Sequence, residues 1–321
     1  MKLGVLTVAL SHLSLENALS YLHEKGVQAV EIGAGGFPGK AHLDPEKLLG
    51  NDAAIQEIKG LLQKYEMEIS ALSTHGNAVH PDKKVAEEFH RDFENTVLLA
   101  EALGVDTVIT FSGCPGDSAG SKYPNWVTCP WPDDFLAILE YQWNAVLIPY
   151  WKKEAEFAKS HGVTKIAFEM HPGFCVYNPE TLLRLRGAVG DIIGANFDPS
   201  HLGWQGMNPV EAIRTLGGAI HHFHAKDTFI DKTNAAKNGN LDTKPYSDIP
   251  NRSWTFRTVG YGSDVKVWKD MLSILRTVGY DGAISIEHED ALMSAEEGLC
   301  KAIAFLKDIL IYEKPGEMYW A

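Results

Sequence analysis

Short apolar runs alternate with longer amphipathic stretches from one end of the chain to the other. The runs are GVLTVAL, VQAVEIG, EISALST, VDTVITF, TKIAFEM, IIGANFD, AIHHFHA and GAISIEH. Each has the length and the content of branched and aromatic residues that suit a strand, and each is trailed by residues at helical spacing, such as SLENALSYLHEKG and VAEEFHRDFENTVLLAEALG. Gly26, Gly104, Gly162, Gly190 and Gly217 stand just ahead of a following strand, where a helix needs a residue that tolerates positive φ. Regular alternation of this kind makes parallel strands with crossover helices. Eight units predict a single (β/α)8 barrel over residues 1–321. A doubly wound open sheet is the alternative, but no G-x-G-x-x-G follows the first strand.

Residue parity sharpens the barrel reading. In KIAFEMH, Ala167, Glu169 and His171 share one face, opposite Ile166, Phe168 and Met170. In AISIEHE, Ser285, Glu287 and Glu289 oppose Ile284 and Ile286. A polar inner face with an apolar outer face fits a barrel whose site lies at the C-terminal mouth. Two connections are too long for simple turns: Ser112 to Asp133 after the fourth strand, and Asp227 to Ser263 after the seventh. Both follow strands, so both are predicted at the mouth, as site covers or subunit contacts. The tail KPGEMYWA is expected either to dock on a partner subunit of a homo-oligomer or to pack on its own barrel or be left disordered.

Four strand ends carry the candidate chemistry: Glu169 in KIAFEMHP, Asp198 and His201 in ANFDPSH, His224 in HHFHAKD, and Glu287 in ISIEHED. One such carboxylate would read as a surface residue; four matching strand ends in series do not. Glu169, Asp198, His224 and Glu287 make an oxygen-rich ligand set without thiolate, which suits Mn²⁺, Mg²⁺ or Co²⁺. Such an ion can hold a carbonyl and its neighbouring hydroxyl and stabilise an enediolate. Glu169 and Glu287 are then the acid/base pair. Two groups on opposite faces give epimerisation; one group shuttling a proton between neighbouring carbons gives aldose–ketose isomerisation. His201 is placed at the rim as a substrate contact. His75, His80, His171, Lys226, Arg257 and Glu31 are further mouth candidates, each weighed equally against a structural or solvated role. Cys114 lacks a positioned base and reads as an inert thiol.

Composition narrows the partners. The chain has 321 residues, 45% of them hydrophobic, with no run long enough to span a bilayer. MKLGVLTVAL reads as a first strand and not as a signal peptide. Four scattered cysteines without a C-x-x-C pair predict buried thiols in a reducing, cytoplasmic setting. Forty-two acidic residues against 29 basic give a net charge of −13, and no basic run exists for a nucleic-acid backbone.

The series Glu169, Asp198-x-x-His201, His224 and Glu287 resembles the sugar phosphate isomerase/epimerase-like superfamily with the xylose isomerase-like barrel. That group includes ketose 3-epimerases, hydroxypyruvate isomerase, inosose dehydratase and type IV apurinic endonuclease. The resemblance spans essentially the whole chain and is specific for fold and metal site, not for substrate or reaction. It implies Mn²⁺ on Glu169, Asp198, His224 and Glu287, acid/base roles for Glu169 and Glu287, and substrate contact by His201. The epimerases carry an Arg shortly after the metal-binding His, where this chain has Lys226, with Arg257 a substitute. The endonuclease branch needs further His and Asp ligands that FSGCPG and the segment after His224 do not supply.

Another branch breaks 3-keto-glycosides by β-elimination, among them the catalytic subunits of C-glycoside deglycosidases, which work with a small second subunit. The segments HGN…HP, FSGCPG…PNWV and WTFRTVGYG look like those of the longer superfamily members, which makes such a lyase the alternative to an isomerase or epimerase. In that branch His75, His80 or His171 assists as base or acid. The eighth strand end, HEDALMSAEEG, is acidic and lacks a glycine nest for phosphate, so the expected sugar is unphosphorylated. A sugar-binding protein with a merely structural metal is the remaining, weaker alternative.

Overall fold

The computed structural model describes residues 1–320. Eight parallel strands close into a barrel: β1 (Lys2–Leu6), β2 (Ala29–Gly33), β3 (Glu68–Ser73), β4 (Thr107–Thr110), β5 (Lys165–Glu169), β6 (Ile193–Phe197), β7 (Ile220–Ala225) and, after an inserted hairpin β8 (Asp227–Ile230) and β9 (Trp254–Arg257), the closing strand β10 (Ala283–Ile286). Strand β10 pairs with both β1 and β7.

The alternation read from sequence is the wall of this barrel. Ile166, Phe168, Phe197, Phe223, Ile284 and Ile286 point outward into one continuous apolar shell beneath the helices. Small and polar residues fill the interior. Ala71, Ile109 and Ala167 form a separate inner cluster, and His222, His224 and Ser285 are buried on the same inner parity. Trp143, Trp151 and Trp268 are fully buried under the outer helices. Helix starts are capped by side chains, as where Asn178 and Thr181 form a reciprocal box. Gly104 ends helix Lys83–Leu103 in the left-handed conformation, as its placement predicted.

Two features go beyond the simple alternation of strands and helices. Between Asp134 and Ser160 the helical stretch changes type, and its middle, Tyr141–Leu147, is π-helical. There the buried Gln142 side chain donates to the Pro115 and Asn125 carbonyls and ties the long loop after β4 to the helix. Such local widening recurs next to functional sites.

The long connection after β7 is also not an open loop. Its ends pair as the antiparallel strands β8 and β9, with Asp227 opposite Arg257 and Ile230 opposite Trp254. Four-residue half-buried strands with distant partners leave little periodicity to read. The hairpin hangs on one carboxylate. Asp227 accepts hydrogen bonds from the Gly260, Gly262 and Ser263 amides at 2.9–3.1 Å and from the Trp268 indole at 3.1 Å. A side chain at Gly262 would come within 2.4 Å of the Thr228 carbonyl, so only glycine lets the loop close on the hairpin.

The cysteines fit the expectation of buried thiols only at Cys114 and Cys175. Cys300 is partly buried and Cys129 is exposed, because it lies in the outer part of the loop after β4. The tail is not a strap on its own barrel: Met318, Tyr319 and Trp320 are exposed, while Ala321 lies outside the described residues. No described helix is long and apolar enough to cross a membrane.

Replacing Asp227 with Ala strands four buried or partly buried donors. The expected cost is about 2–3 kcal/mol of folding stability. A urea-unfolding midpoint unchanged by Asp227→Ala would remove this anchor from the account.

Candidate functional site

The barrel brings the four strand-end residues to one point. Glu169 ends β5, Asp198 follows β6, His224 lies in β7 and Glu287 follows β10. One ligand atom from each lies within 4.8 Å of the others. Asp198 also starts the short helix Pro199–Gly203, where its Oδ1 accepts the Ser200 amide at 2.8 Å. That bond leaves Oδ2 facing the cluster.

Two buried polar atoms here have no hydrogen-bond partner: Asp198 Oδ2 and His224 Nδ1. His224 Nδ1 lies 3.2 Å from both Glu169 Oε2 and Glu287 Oε2, and Asp198 Oδ2 lies 3.1 Å from Lys226 Nζ, without hydrogen-bond alignment. Orphaned buried donors and acceptors are costly. Three carboxylates and one imidazole, whose Nδ1 becomes a ligand atom on losing its proton, gathered at one spot fit a hard divalent cation.

Glu31 explains the direction of His224. Its Oε2 accepts His224 Nε2–H at 2.8 Å and Ser285 Oγ at 3.0 Å, and its Oε1 accepts Ser73 Oγ. The Nε2 proton is thereby fixed, and Nδ1 is the nitrogen presented to the cluster. A carboxylate behind a ligand histidine sets its tautomer and orientation. Behind Glu169 runs a second chain. Asn196 Nδ2 donates to Glu169 Oε2 at 3.2 Å, and its Oδ1 accepts His222 Nδ1 at 3.0 Å. Neither Asn196 nor His222 was singled out from sequence. The signal was present, since Asn196 and His222 each precede a site residue by two on the inner parity.

Imidazoles crowd the remaining sides of Glu169. His201 Nε2 lies 2.8 Å from Oε1, and His75 Nε2 lies 3.0 Å from Oε2. His75 is held by the glycine-rich loop after β2, because Phe37 donates its amide to the His75 carbonyl and a side chain at Gly36 would overlap that oxygen. His171 packs its ring 4.1 Å from that of His201. Lys226 is fully buried and pairs with Glu287 at 2.6 Å, Glu289 at 2.9 Å and Asp198 at 3.1 Å.

The charges follow from these contacts. Burial would raise Glu169, but its contacts with His201, His224 and His75 outweigh it and hold the carboxyl well below the ordinary range. Glu287 is likewise lowered against burial, by Lys226 and His224. Burial would lower Lys226, yet the facing Asp198, Glu287 and Glu289 push it well up. His224 is raised against burial by Glu31 and Glu287, while Glu31 itself falls to about 2 against burial, through His224. Burial raises Asp198, with Lys226 and His201 offsetting only part of it. His201 and His171 are lowered by burial and stay neutral near pH 7.

The other candidates are placed elsewhere. Arg257 pairs with Asp290 at 3.1 Å and does not line the pocket. His80 accepts the Asp82 amide at the start of helix Lys83–Leu103. Cys114 is buried against the Pro115 carbonyl. The pocket, about 150 Å³, is lined by His75, Phe111, Glu169, His171, His201, Lys226 and Glu287 among others.

Residues 19–309 match the xylose isomerase-like TIM barrel family, and the chain belongs to that family. It is 42% identical to the uncharacterized protein YfiH of Bacillus subtilis, over 97% of this chain and 99% of that one. An inosose dehydratase of Clostridium perfringens is 23% identical over 79% of this chain and 81% of its own length. Among solved structures, a D-tagatose 3-epimerase-like protein superposes with a TM-score of 0.64 at 22% identity, covering 96% of this chain and 98% of its own. The IolI protein with a bound zinc atom superposes at 0.66 with 20% identity, covering 97% and 98%. At these identities the structures speak for the fold.

Glu31→Gln keeps the size of the side chain but weakens its hold on His224. Affinity for Mn²⁺ by titration calorimetry is expected to fall about 10–100-fold with the fold retained. Unchanged affinity in a folded variant would contradict the role given to Glu31.

Proposed function

We propose that the chain is a divalent-cation-dependent isomerase or epimerase of an unphosphorylated keto sugar. The observation that carries this reading is the meeting of Glu169 and Glu287, each 3.2 Å from the same His224 nitrogen, in a pocket that also holds Lys226 and His201. Glu169, Asp198, His224 and Glu287 would hold the cation. When bound, it supplies Lewis-acid polarisation of a substrate carbonyl, which acidifies the neighbouring C–H.

The chain's own residues supply the rest. Glu169 is kept ionised by its imidazole neighbours, as a base must be. It takes the proton from the carbon beside the carbonyl. Glu287 approaches from the end of β10, so a proton returned through it arrives from another side, which is epimerisation. If the proton returns by way of Glu169 to the adjacent carbon, the outcome is isomerisation. Lys226, charged and 2.6 Å from Glu287 Oε2, can donate a hydrogen bond to a developing enolate oxygen. His201 and His171, neutral at pH 7, suit contacts to sugar hydroxyls. The charge of Lys226 is balanced by three carboxylates and Arg257 pairs with Asp290, which supports an unphosphorylated sugar.

A second reading shares the first step. Similarity to an inosose dehydratase favours elimination, in which loss of a group on the next carbon follows proton removal. On a 3-keto-glycoside that group would be the aglycone.

Proton NMR in D₂O on Mn²⁺-loaded protein tests both, with free ketoses and 3-keto-glycosides as substrates. Deuterium at the carbon beside the carbonyl, with a new sugar isomer, is the expected result. Released aglycone instead selects the lyase, and exchange in neither panel contradicts both. Glu169→Gln and Glu287→Gln should each lower turnover about 10²–10⁴-fold. Near-normal turnover in both variants would end the acid/base assignment.

A further inference from the structure

Outside the barrel wall, a second group of ligating side chains meets between two helices. His90 and Glu94 stand one turn apart on helix Lys83–Leu103, and Glu154 belongs to helix Ile148–Ser160. One donor atom from each lies within 4.8 Å of the other two. His90 Nε2 is 3.4 Å from Glu94 Oε1, and His90 Nδ1 is 3.8 Å from Glu154 Oε1. Trp151 holds the helices in this register. Its ring packs edge-on against Phe93 of the first helix at 5.4 Å and against Phe168 of β5 at 4.5 Å.

Glu154 is the residue that calls for a ligand. It is ionisable and lies on an outer helix, yet its side chain is 0% exposed. Lys153 reaches Oε1 at 3.2 Å from a side chain that is itself 68% exposed. Ion pairs with an exposed lysine contribute little. Oε2 is buried with no hydrogen-bond partner among the described residues. Burial pushes this carboxyl up, and His90 and Lys153 offset part of the effect. A buried carboxylate oxygen without a partner is destabilising, and a cation beside it removes most of that penalty.

His90 is oriented to share such a cation. The Tyr150 hydroxyl lies 3.1 Å from Nδ1, with the two rings edge-on at 5.8 Å. With Nδ1–H donated to that hydroxyl oxygen, Nε2 keeps its lone pair as the ligand atom on the Glu94 side. The His90 and Glu94 side chains are 28% and 33% exposed, which gives an ion a path from solvent and room for a water in its shell.

We infer that His90, Glu94 and Glu154 bind a second divalent cation, separate from the one at the barrel mouth, which clamps helix Ile148–Ser160 to helix Lys83–Leu103. One imidazole, two carboxylates and a water suit tetrahedral Zn²⁺. The mouth, with one more carboxylate, takes the first equivalent of the harder Mn²⁺. The clamp is independent of the keto-sugar reading, because no substrate meets it.

Zn²⁺ titration calorimetry on the full chain, stripped of metal by a chelator, tests this. The wild-type chain should take up two ions. His90→Ala and Glu94→Ala should each lose one, and Asp198→Ala should lose the mouth ion and keep the outer one. His90 and Glu94 are partly exposed, so both variants should fold, which far-UV circular dichroism checks. Thermal unfolding gives a second readout: Zn²⁺ should raise the Tm of Asp198→Ala, and adding His90→Ala should abolish the rise. Folded His90→Ala and Glu94→Ala that bind as many ions as the wild-type chain would overturn the outer site, as would a wild-type chain that binds none. A single ion lost in His90→Ala would keep the outer site and overturn the mouth. A single ion lost in Asp198→Ala would do the reverse, so the two sites fail separately.

Discussion

Four carboxylates, Glu31, Glu169, Asp198 and Glu287, meet at the mouth of the barrel where water has largely been excluded, and everything around them is arranged to make that charge tolerable. Lys226 and His224 face them as protein cations. Burying a carboxylate is affordable only when charge partners and hydrogen bonds replace its hydration. Here the balance is incomplete: Asp198 is pushed towards protonation, and its Oδ2 and His224 Nδ1 lack partners. A divalent cation at this point would satisfy both atoms and complete the balance. It would also displace any proton on His224 Nδ1, so metal binding and proton release are linked.

The same constraint explains the shell behind the site. Glu31 fixes the His224 tautomer from within the barrel, and the Asn196–His222 pair steadies Glu169 from below. These contacts occupy the inner face of several strands, where an ordinary barrel carries apolar layers. The apolar packing is displaced outward, into the shell between strands and helices. The hairpin β8–β9 then supplies the lateral wall, and its own foundation is the separate carboxylate of Asp227. The hairpin's stability and the proposed chemistry thus rest on different acidic residues.

Much of this was legible in the sequence, and the limit lies at pairing. Period-two alternation in KIAFEMH and AISIEHE revealed the inner face, and the strand ends named the quartet, because both depend only on neighbours in the chain. Roles that depend on distant partners were hidden. Glu31 finds His224 across 193 positions, and nothing local to VEIG marks that contact. Arg257 looked available for a substrate until Asp290, from the segment after β10, turned out to hold it. Trp204 and Trp254 became one wall only once the insertion folded back as a hairpin. Cys129 broke the expectation of buried thiols because burial in an irregular loop has no periodic signature.

The central claim is that a single cation binds at Glu169, Asp198, His224 and Glu287 with one nitrogen among its ligands. Pulsed electron paramagnetic resonance on Mn²⁺-loaded protein measures this directly. The expected spectrum shows one ion per chain with coupling to a single imidazole nitrogen, and Asp198→Ala sharply weakens binding. Two or more coupled nitrogens, as would arise at the buried Glu31, His222 and His224 group, or binding indifferent to Asp198→Ala, would contradict the account.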